Sequence, residues 1–257
     1  MNSEEPTKKK SISGNVYKTL KSRIYNLEYR PGRSLSVASL SKELEISRSP
    51  VRDALQHLAQ ENLVQIFPKS GTRVSLINIH LMEEERFVRK SLELSALKEM
   101  FYDSTTPILE AMEESIERQK SIDFKNDLIN FLKEDDAFHK LIFKSINKED
   151  CWGLAKNFTP NEHRVRLLID KSIIKSNENI IQNHLDLFNA IKARNIESAL
   201  AVDSKHLGKI NYEIVTLMSN YPDLFEADSS KSNSPVPSKI RDVVSGNENF
   251  LNTIMSY

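Results

Sequence analysis

Hydrophobic residues along the first 80 positions follow a helical repeat, which then gives way to the alternation of short strands. The predicted elements are, in order, helices over residues 16–27, 36–46 and 47–61 and strands over residues 63–67 and 72–76. A turn that contains Pro68 and Gly71 joins the two strands. Three helices followed by a hairpin form the order of a winged helix-turn-helix, in which the third helix enters the major groove of DNA.

From residue 79 to residue 222 the apolar pattern remains helical, with no strand predicted in between. We expect about six helices, beginning near Glu83, Pro107, Leu128, Cys151, Asn179 and Glu197. Residues 223–257 open with a Ser- and Pro-rich stretch without periodicity, which predicts a flexible tail. The fold class predicted is therefore mainly α, with a winged helix-turn-helix over residues 12–78 and an all-α helical bundle over residues 79–222.

The balance of charge limits the ways in which this chain can bind nucleic acid. Its 36 basic and 36 acidic residues cancel, so DNA binding must depend on a local concentration of basic side chains. The single cysteine, Cys151, excludes an internal disulfide and fits a reducing compartment. No apolar run approaches the length of a membrane span, and the N-terminus lacks the apolar core of a signal peptide. We therefore expect a cytoplasmic protein with no membrane partner.

The segment SRSPVRDALQHL, residues 47–58, has the features of a helix start with two arginines on one face. Pro50 is tolerated in a first helical turn, where a backbone N–H is unpaired in any case. A charged helix face is often only solvated, so the arginines indicate DNA binding through their place at the start of the third helix. The predicted DNA-contacting residues are Ser47, Arg48, Ser49 and Arg52 on this helix and Lys69 and Arg73 on the wing.

Four residues of the helical region have a spacing that suits metal coordination. Asp135 and His139 are four residues apart and project from one helix face. His184 lies eleven residues before Asn195 and His206 eleven after it, so both reach the same height in an antiparallel helical hairpin. Three nitrogens and one oxygen suit zinc, nickel, manganese or iron(II) better than calcium. Histidines that are hydrogen-bonded in a core are the alternative, and spacing alone leaves both open.

The segment NEHRVRLL, residues 161–168, is the next candidate for ligand chemistry. His163 is a further metal-ligand candidate, but Arg164 and Arg166 make this segment better suited to hold an anion. A surface salt bridge is the alternative role for these arginines.

Together these segments resemble the GntR superfamily of bacterial transcription regulators, in its FadR-like branch. In the N-terminal region the resemblance covers residues 14–78 and rests on YRPGRSL, LSKELEISRSPVRDALQHLAQENLV and PKSGTRV. In the helical region it covers residues 80–210 and rests on VRKSLELSAL, DDAFHKLI and NHLDLFNAIKARNIESALAVDSKHL. The latter segments look like the family's FCD-type ligand-binding domain.

The resemblance implies a metal, an effector and a quaternary structure. Its metal-dependent members use an Asp, a His four residues on and two later His, which here implies the ligands Asp135, His139, His184 and His206. Zinc is the ion we expect first, with nickel, manganese and iron as the other candidates. Effectors of the family are small carboxylates, sugar acids or fatty-acyl derivatives, and Arg89 and Arg166 are the candidates to pair with such an anion. Family members are homodimers that bind inverted repeats in double-stranded operator DNA.

The second helix departs from the family pattern. Val37 and Ala38 stand where the family carries Glu-Arg, and that arginine can contact DNA, so one contact is expected to be missing. Asn62 replaces a common glycine, which is a mild change.

We therefore predict a DNA-binding transcription regulator, and not an enzyme, whose operator affinity is controlled by a carboxylate-type effector at a metal site. One alternative is a DNA-binding regulator whose helical domain is purely structural and free of metal. The other is a metalloenzyme, since the same ligands with an open coordination position also serve hydrolytic chemistry, with Glu134 as the nearest general base.

Overall fold

The computed structural model describes residues 5–102, 106–172, 177–208 and 211–227, which form two compact units. The first unit contains the chain up to Ile79 together with Tyr221–Ala227, and the second contains His80–Asn220. The predicted tail lies outside the described residues from position 228 onward.

The first unit has the three helices and the wing that the apolar pattern predicts. Its elements are α1 (Glu5–Tyr25), β1 (Ser34–Leu35), α2 (Val37–Glu43), α3 (Arg48–Gln60), β2 (Val64–Phe67) and β3 (Gly71–Val74). Ser36 caps α2 by accepting a hydrogen bond from the backbone N–H of Ser39, at 3.4 Å. The helices share an apolar core in which Leu20, Val51 and Leu58 are completely buried. This core holds α3 with its polar face outward.

The wing is a three-stranded antiparallel sheet in the order β1-β3-β2. Gln65 lies opposite Arg73, and Phe67 opposite Gly71, where the hairpin turns. Strand β1 was not predicted from the sequence because two residues are too few to show an alternation, and it exists through its pairing with β3.

A segment from the end of the helical region also belongs to the first unit. Ile77 and Phe225 form a parallel β-bridge, and the side-chain amide of Asn78 donates to a carboxylate oxygen of Glu226 at 2.6 Å. Leu224 and Phe225 are buried there. Their partners lie almost 150 positions away in the sequence, which is why local patterning assigned this segment to a tail.

The second unit has eight helices within the described residues, where the sequence predicted about six. They are α4 (Ile79–Met100), α5 (Thr106–Ser121), α6 (Leu128–Ser145), α7 (Glu149–Phe158), α8 (Pro160–Ser172), α9 (Glu178–Lys192), α10 (Ile196–His206) and α11 (Asn211–Asn220). Helices α8 and α11 are the additional ones. Helix α8 buries polar as well as apolar side chains, so its sequence shows no clean apolar stripe. None of the described helices has the length and apolar composition that crossing a membrane requires.

Buried charge is the feature of the helical unit that leads to its site. Phe138, Ile142 and Leu187 pack in an apolar core. Beside this core, Glu93 and Asp135 have no solvent exposure at all. A buried carboxylate destabilises the fold unless it is paired, so we expect positively charged or hydrogen-bonding groups next to these acids.

Candidate metal centre and DNA-binding surface

Three helices bring the four predicted metal ligands together. Helix α6 carries Asp135 and His139, α9 carries His184 and α10 carries His206. One donor atom from each lies within 4.8 Å of the others. The chain reverses between α9 and α10 at Arg194, whose φ is +56°, and the rings of His184 and His206 come to 4.9 Å between centroids. The hairpin geometry expected from the spacing is therefore present.

The hydrogen-bond partners of the Nδ1 atoms determine whether the Nε2 atoms, which face the cluster, carry a proton or a lone pair. The Nδ1–H of His139 donates to Glu93, and the Nδ1–H of His184 donates to the side-chain oxygen of Gln119 at 2.7 Å. In a neutral imidazole each of these donations leaves the opposite nitrogen, Nε2, without a proton and able to bind a cation. The Nε2 atoms of His139 and His206 then lie 3.2 Å apart. The side-chain amide of Asn183 donates to His206 Nδ1 at 3.4 Å, so without a metal the proton of His206 lies on Nε2 and joins this pair, and a bound cation would replace it.

The electrostatics of the cluster keep two of the histidines neutral. Burial lowers the pKa of His184 to about 3 and moves the pKa of His206 well below its ordinary value. Burial also lowers the pKa of His139, but the Glu93 carboxylate beside it more than compensates, so this pKa lies above its ordinary value. For Asp135, burial raises the pKa, and the charge of Arg166 outweighs that and holds it well below the usual range. The set thus combines a carboxylate with two neutral imidazoles, and a cation at His139 would replace the proton that Glu93 favours.

The cluster fits a divalent transition metal on its own geometry. Asp135 Oδ2 and His184 Nε2 are buried and have no hydrogen-bond partner among the described residues. Unsatisfied buried acceptors are rare in folded proteins, and a metal ion would satisfy them. The hydrogen bonds from Nδ1 to Glu93 and Gln119 are of the kind that orient metal-bound histidines.

A second acidic pair borders the same cluster. Asp203 and Glu93 each place one carboxylate oxygen within 4.8 Å of a His139 nitrogen and of each other. Burial, followed by the charge of Glu93, raises the pKa of Asp203 to about 7. The sequence analysis did not select Glu93, Gln119 or Asp203. A usable signal existed for Glu93, which lies one turn after Arg89 on α4.

The two predicted effector arginines have different surroundings. Arg166 reaches the cluster, with its Nη2 atom 2.6 Å from Asp135 Oδ1. Arg89 is held between two buried carboxylates, with Nη1 3.0 Å from Glu162 and Nε 3.6 Å from Glu93. The structure therefore brings Arg166 to the predicted ligand Asp135, whereas the partners of Arg89 lie outside the four-residue cluster.

Helix α8, which carries Arg166, is anchored at its first turn by Glu85. One oxygen of Glu85 accepts the backbone N–H groups of Asn161 and Glu162, each at 2.8 Å, and the other accepts the Asn161 side-chain amide at 2.8 Å. A carboxylate at a helix N-terminus satisfies N–H groups that have no partner within the helix. Burial nevertheless raises the pKa of Glu85 to about 7, against the effect of these hydrogen bonds.

The remaining candidates of the helical region lie outside the cluster. Arg164 is buried and donates to Asn161 Oδ1 at 2.7 Å, so it is a structural residue of α8 rather than a surface ion pair. His163 is not part of the four-residue cluster, and burial lowers its pKa to about 4. Glu134, the candidate general base, pairs with Arg118 at 2.9 Å at the surface.

The predicted DNA-contacting residues all lie on the surface of the first unit. All six are exposed, namely Ser47 at the N-cap of α3, Arg48, Ser49 and Arg52 on α3, and Lys69 and Arg73 on the wing. Ser47 occupies the N-cap position of α3, and its side chain makes no capping hydrogen bond. The N-terminal turn of α3 therefore presents its hydroxyl and arginine groups outward.

This combination of a winged helix-turn-helix and a helical domain with a buried histidine cluster defines a class of DNA-binding transcription regulators. Comparison with family models agrees with it. The family described as bacterial regulatory proteins, gntR family, matches residues 12–74, and the FCD domain matches residues 86–209. The chain belongs to the GntR family, in the branch that carries an FCD domain.

Two relatives that match this chain over most of their length are described as transcriptional regulators. The chain is 27% identical over 223 residues to an HTH-type transcriptional regulator from Streptomyces ambofaciens, covering 84% of this chain and 90% of that protein. It is 24% identical over 217 residues to the HTH-type transcriptional repressor RspR of Escherichia coli, covering 84% of this chain and 95% of the repressor. The prediction that this chain belongs to a family of transcription regulators, and not to a family of enzymes, is confirmed at the level of the family.

A solved structure shares the fold. The McbR/YncC protein of Escherichia coli superimposes with a TM-score of 0.66 at 21% identity, over 82% of this chain and 98% of that one. The combination of a winged helix-turn-helix with an all-α domain predicted from the sequence is thus confirmed.

Proposed function

We propose that this regulator binds operator DNA with an affinity controlled by a small carboxylate-type effector, which binds at a divalent metal in the helical unit. The observation that carries this proposal is the set of donors on α6, α9 and α10, three of them buried and His206 half-buried. Asp135 Oδ2 and His184 Nε2 have no hydrogen-bond partner among the described residues, and the four donor atoms lie within 4.8 Å of one another. A core whose histidines were only structural would satisfy these atoms with hydrogen bonds.

Asp135, His139, His184 and His206 would hold the metal. Three imidazoles and one carboxylate suit zinc, with nickel, manganese and iron as the other candidates. When bound, the metal supplies a Lewis acid with open coordination positions, at which a carboxylate can bind.

Arg166 is the residue best placed to receive the anion. It is 14% exposed and lies 2.6 Å from the proposed ligand Asp135, so its guanidinium charge is close to an anion bound at the metal. The charge of Arg89 is compensated by Glu162 and Glu93, although its Nη2 atom has no hydrogen-bond partner among the described residues. Its role is then to hold the acidic partner of His139 in place rather than to contact the effector.

The DNA-binding half of the proposal depends on the exposed start of α3. Arg48 and Arg52 would contact phosphates or guanine edges in the major groove. Ser47, with the free N–H groups of the first turn, would bind a phosphate, as helix N-termini do. Lys69 and Arg73 would hold the backbone beside the wing.

A homodimer would read an inverted repeat, one half-site for each winged helix-turn-helix. Effector binding would change the separation of the two DNA-binding domains in the dimer, and hence the half-site spacing that they can span.

The test is elemental analysis of protein purified without chelator, compared with a His184→Ala/His206→Ala double variant. The matched control is His80→Ala, which removes a histidine of α4 outside the cluster. We expect about one transition metal ion per chain in the wild type and the control, and none in the double variant. A panel of sugar acids and dicarboxylates is then screened by thermal shift, and stabilisation is expected only with zinc present.

All three proteins are also assayed on DNA selected by the wild type from a random pool. Equal DNA binding by the metal-free double variant would locate the metal's role in effector response. Absence of metal from the wild type would leave a DNA-binding regulator with structural histidines and refute effector control through a metal.

A further inference from the structure

The carboxylate of Asp135 contacts both an arginine and two histidines of the proposed metal site. Its Oδ1 atom lies 2.6 Å from Arg166 Nη2 and 3.5 Å from His184 Nε2. Its Oδ2 atom lies 3.9 Å from His139 Nε2. The single carboxylate of the proposed ligand set therefore already neutralises a guanidinium.

We propose that Arg166 competes with the metal for Asp135, and so lowers the affinity of the site until an anion joins it. This inference rests on the proposed function, since it concerns the same cluster. Arg166 acts on the metal through its ion pair with Asp135. The guanidinium of Arg166 and a bound cation would share the charge of Asp135, and both would favour a nearby anion.

The burial of Asp135 strengthens this competition. Asp135 is completely buried, so its interactions with Arg166 and with a metal are screened far less than at a surface. A divalent cation bound to Asp135 lies close to the guanidinium, and two like charges repel each other. An effector carboxylate between them removes that repulsion. Metal and effector therefore strengthen each other's binding, as linkage requires.

Arg89, the other predicted effector arginine, does not compete with a metal for a proposed ligand. Arg89 is paired with Glu162 and Glu93, neither of which belongs to the four-residue cluster. Its charge is compensated without any of the proposed ligands. Arg166 differs because its partner at 2.6 Å is itself a ligand.

The experiment measures zinc affinity by chelator competition on the full-length chain after metal removal. The variants are Arg166→Gln, which removes the charge, and Arg166→Lys, which keeps it. We expect Arg166→Gln to bind zinc about tenfold more tightly than the wild type, and Arg166→Lys to stay close to the wild type. Arg118→Gln, which removes an arginine beside Glu134 at the surface, is the matched control and should not change the affinity.

An arginine that merely orients Asp135 would give the opposite sign, since losing it would weaken zinc binding. Unchanged or weaker affinity of Arg166→Gln therefore overturns the inference while the proposed metal site stands. Zinc binding by none of the proteins overturns both. If Arg166→Gln folds only with metal, it is purified zinc-loaded and its zinc release to a chelator is timed. Slower release than from the wild type supports the competition, and equal or faster release refutes it.

Discussion

The two units of this protein place their functional charges in opposite ways. In the DNA-binding unit, Arg52 is exposed while its neighbour Val51 is completely buried in an apolar core. In the helical unit, Asp135, His139 and Glu93 are themselves completely buried. The first arrangement separates function from stability. The second makes them depend on each other, because a buried charge that loses its partner destabilises the fold.

This difference predicts which variants affect stability and which affect only binding. Surface charges contribute little to folding, since water solvates them in both states. Buried groups keep their charge only through their neighbours, so that changes there alter stability, metal affinity and pH dependence together.

The largest effect is expected for Glu93→Ala. The substitution leaves His139 Nδ1 and Arg89 Nε without their carboxylate, and it should lower the free energy of unfolding by about 3–5 kcal/mol. Zinc affinity of the proposed site should fall by about 10- to 100-fold, since the hydrogen bond that orients the proposed ligand His139 is lost. Urea denaturation measures the free energy of unfolding, and chelator competition measures the zinc affinity.

Glu99→Ala provides the control on the same helix, because Glu99 forms a surface pair with Lys148. It should change stability by less than about 1 kcal/mol. Equal losses for the two variants would contradict the contrast between buried and exposed charge.

The next effect is a pH dependence that comes from Glu85. Its pKa of about 7 in the folded protein exceeds the ordinary value of 4.5, so the folded state binds the extra proton between these values. Stability contributed by the protonated form is complete below pH 4.5 and is lost as the pH rises toward 7. Relative to Glu85→Gln, the wild type should lose about 2–4 kcal/mol over this window. Urea denaturation of both proteins across the window measures it, and parallel curves would show that the hydrogen bonds from α8 outweigh burial.

Arg52→Ala should affect binding alone. We expect operator affinity to fall by about 1–3 kcal/mol. The free energy of unfolding should stay within about 0.5 kcal/mol of the wild type. Fluorescence anisotropy on selected DNA measures the former, with Lys98→Ala, an exposed lysine of α4, as the control. Wild-type affinity of Arg52→Ala would remove this arginine from the interface.

The smallest effect is expected for Lys69→Ala on the wing. A lysine that contacts only phosphate should weaken binding about equally for all DNA sequences and reduce the salt dependence, the slope of log K against log salt, by about 1. An unchanged slope would mean that Lys69 does not reach the backbone.

The sequence predicted the DNA-binding unit more completely than the helical one. Helix α3 and the strands of the wing were found within one or two residues of their bounds, because one face of each is apolar and the other is polar. Helix α8 was not recognised, since Asn161, Glu162 and Arg164 are buried polar residues that interrupt an apolar stripe. The bridge from Ile77 to Phe225 joins residues too far apart for any local pattern to show.

Some residues of the candidate site could also be predicted from the sequence, whereas others depend on tertiary packing. Asp135 and His139 could be paired from the sequence because an interval of four residues is one helical turn, and His184 and His206 because a short turn joins their helices. These relations follow from the geometry of the helix itself. By contrast, the sequence presented Arg89 and Arg166 as equal candidates. Only the packing of α8 against α6 placed Arg166 on Asp135, and only the packing of α4 placed Glu93 on His139, because contacts between distant helices depend on the whole core.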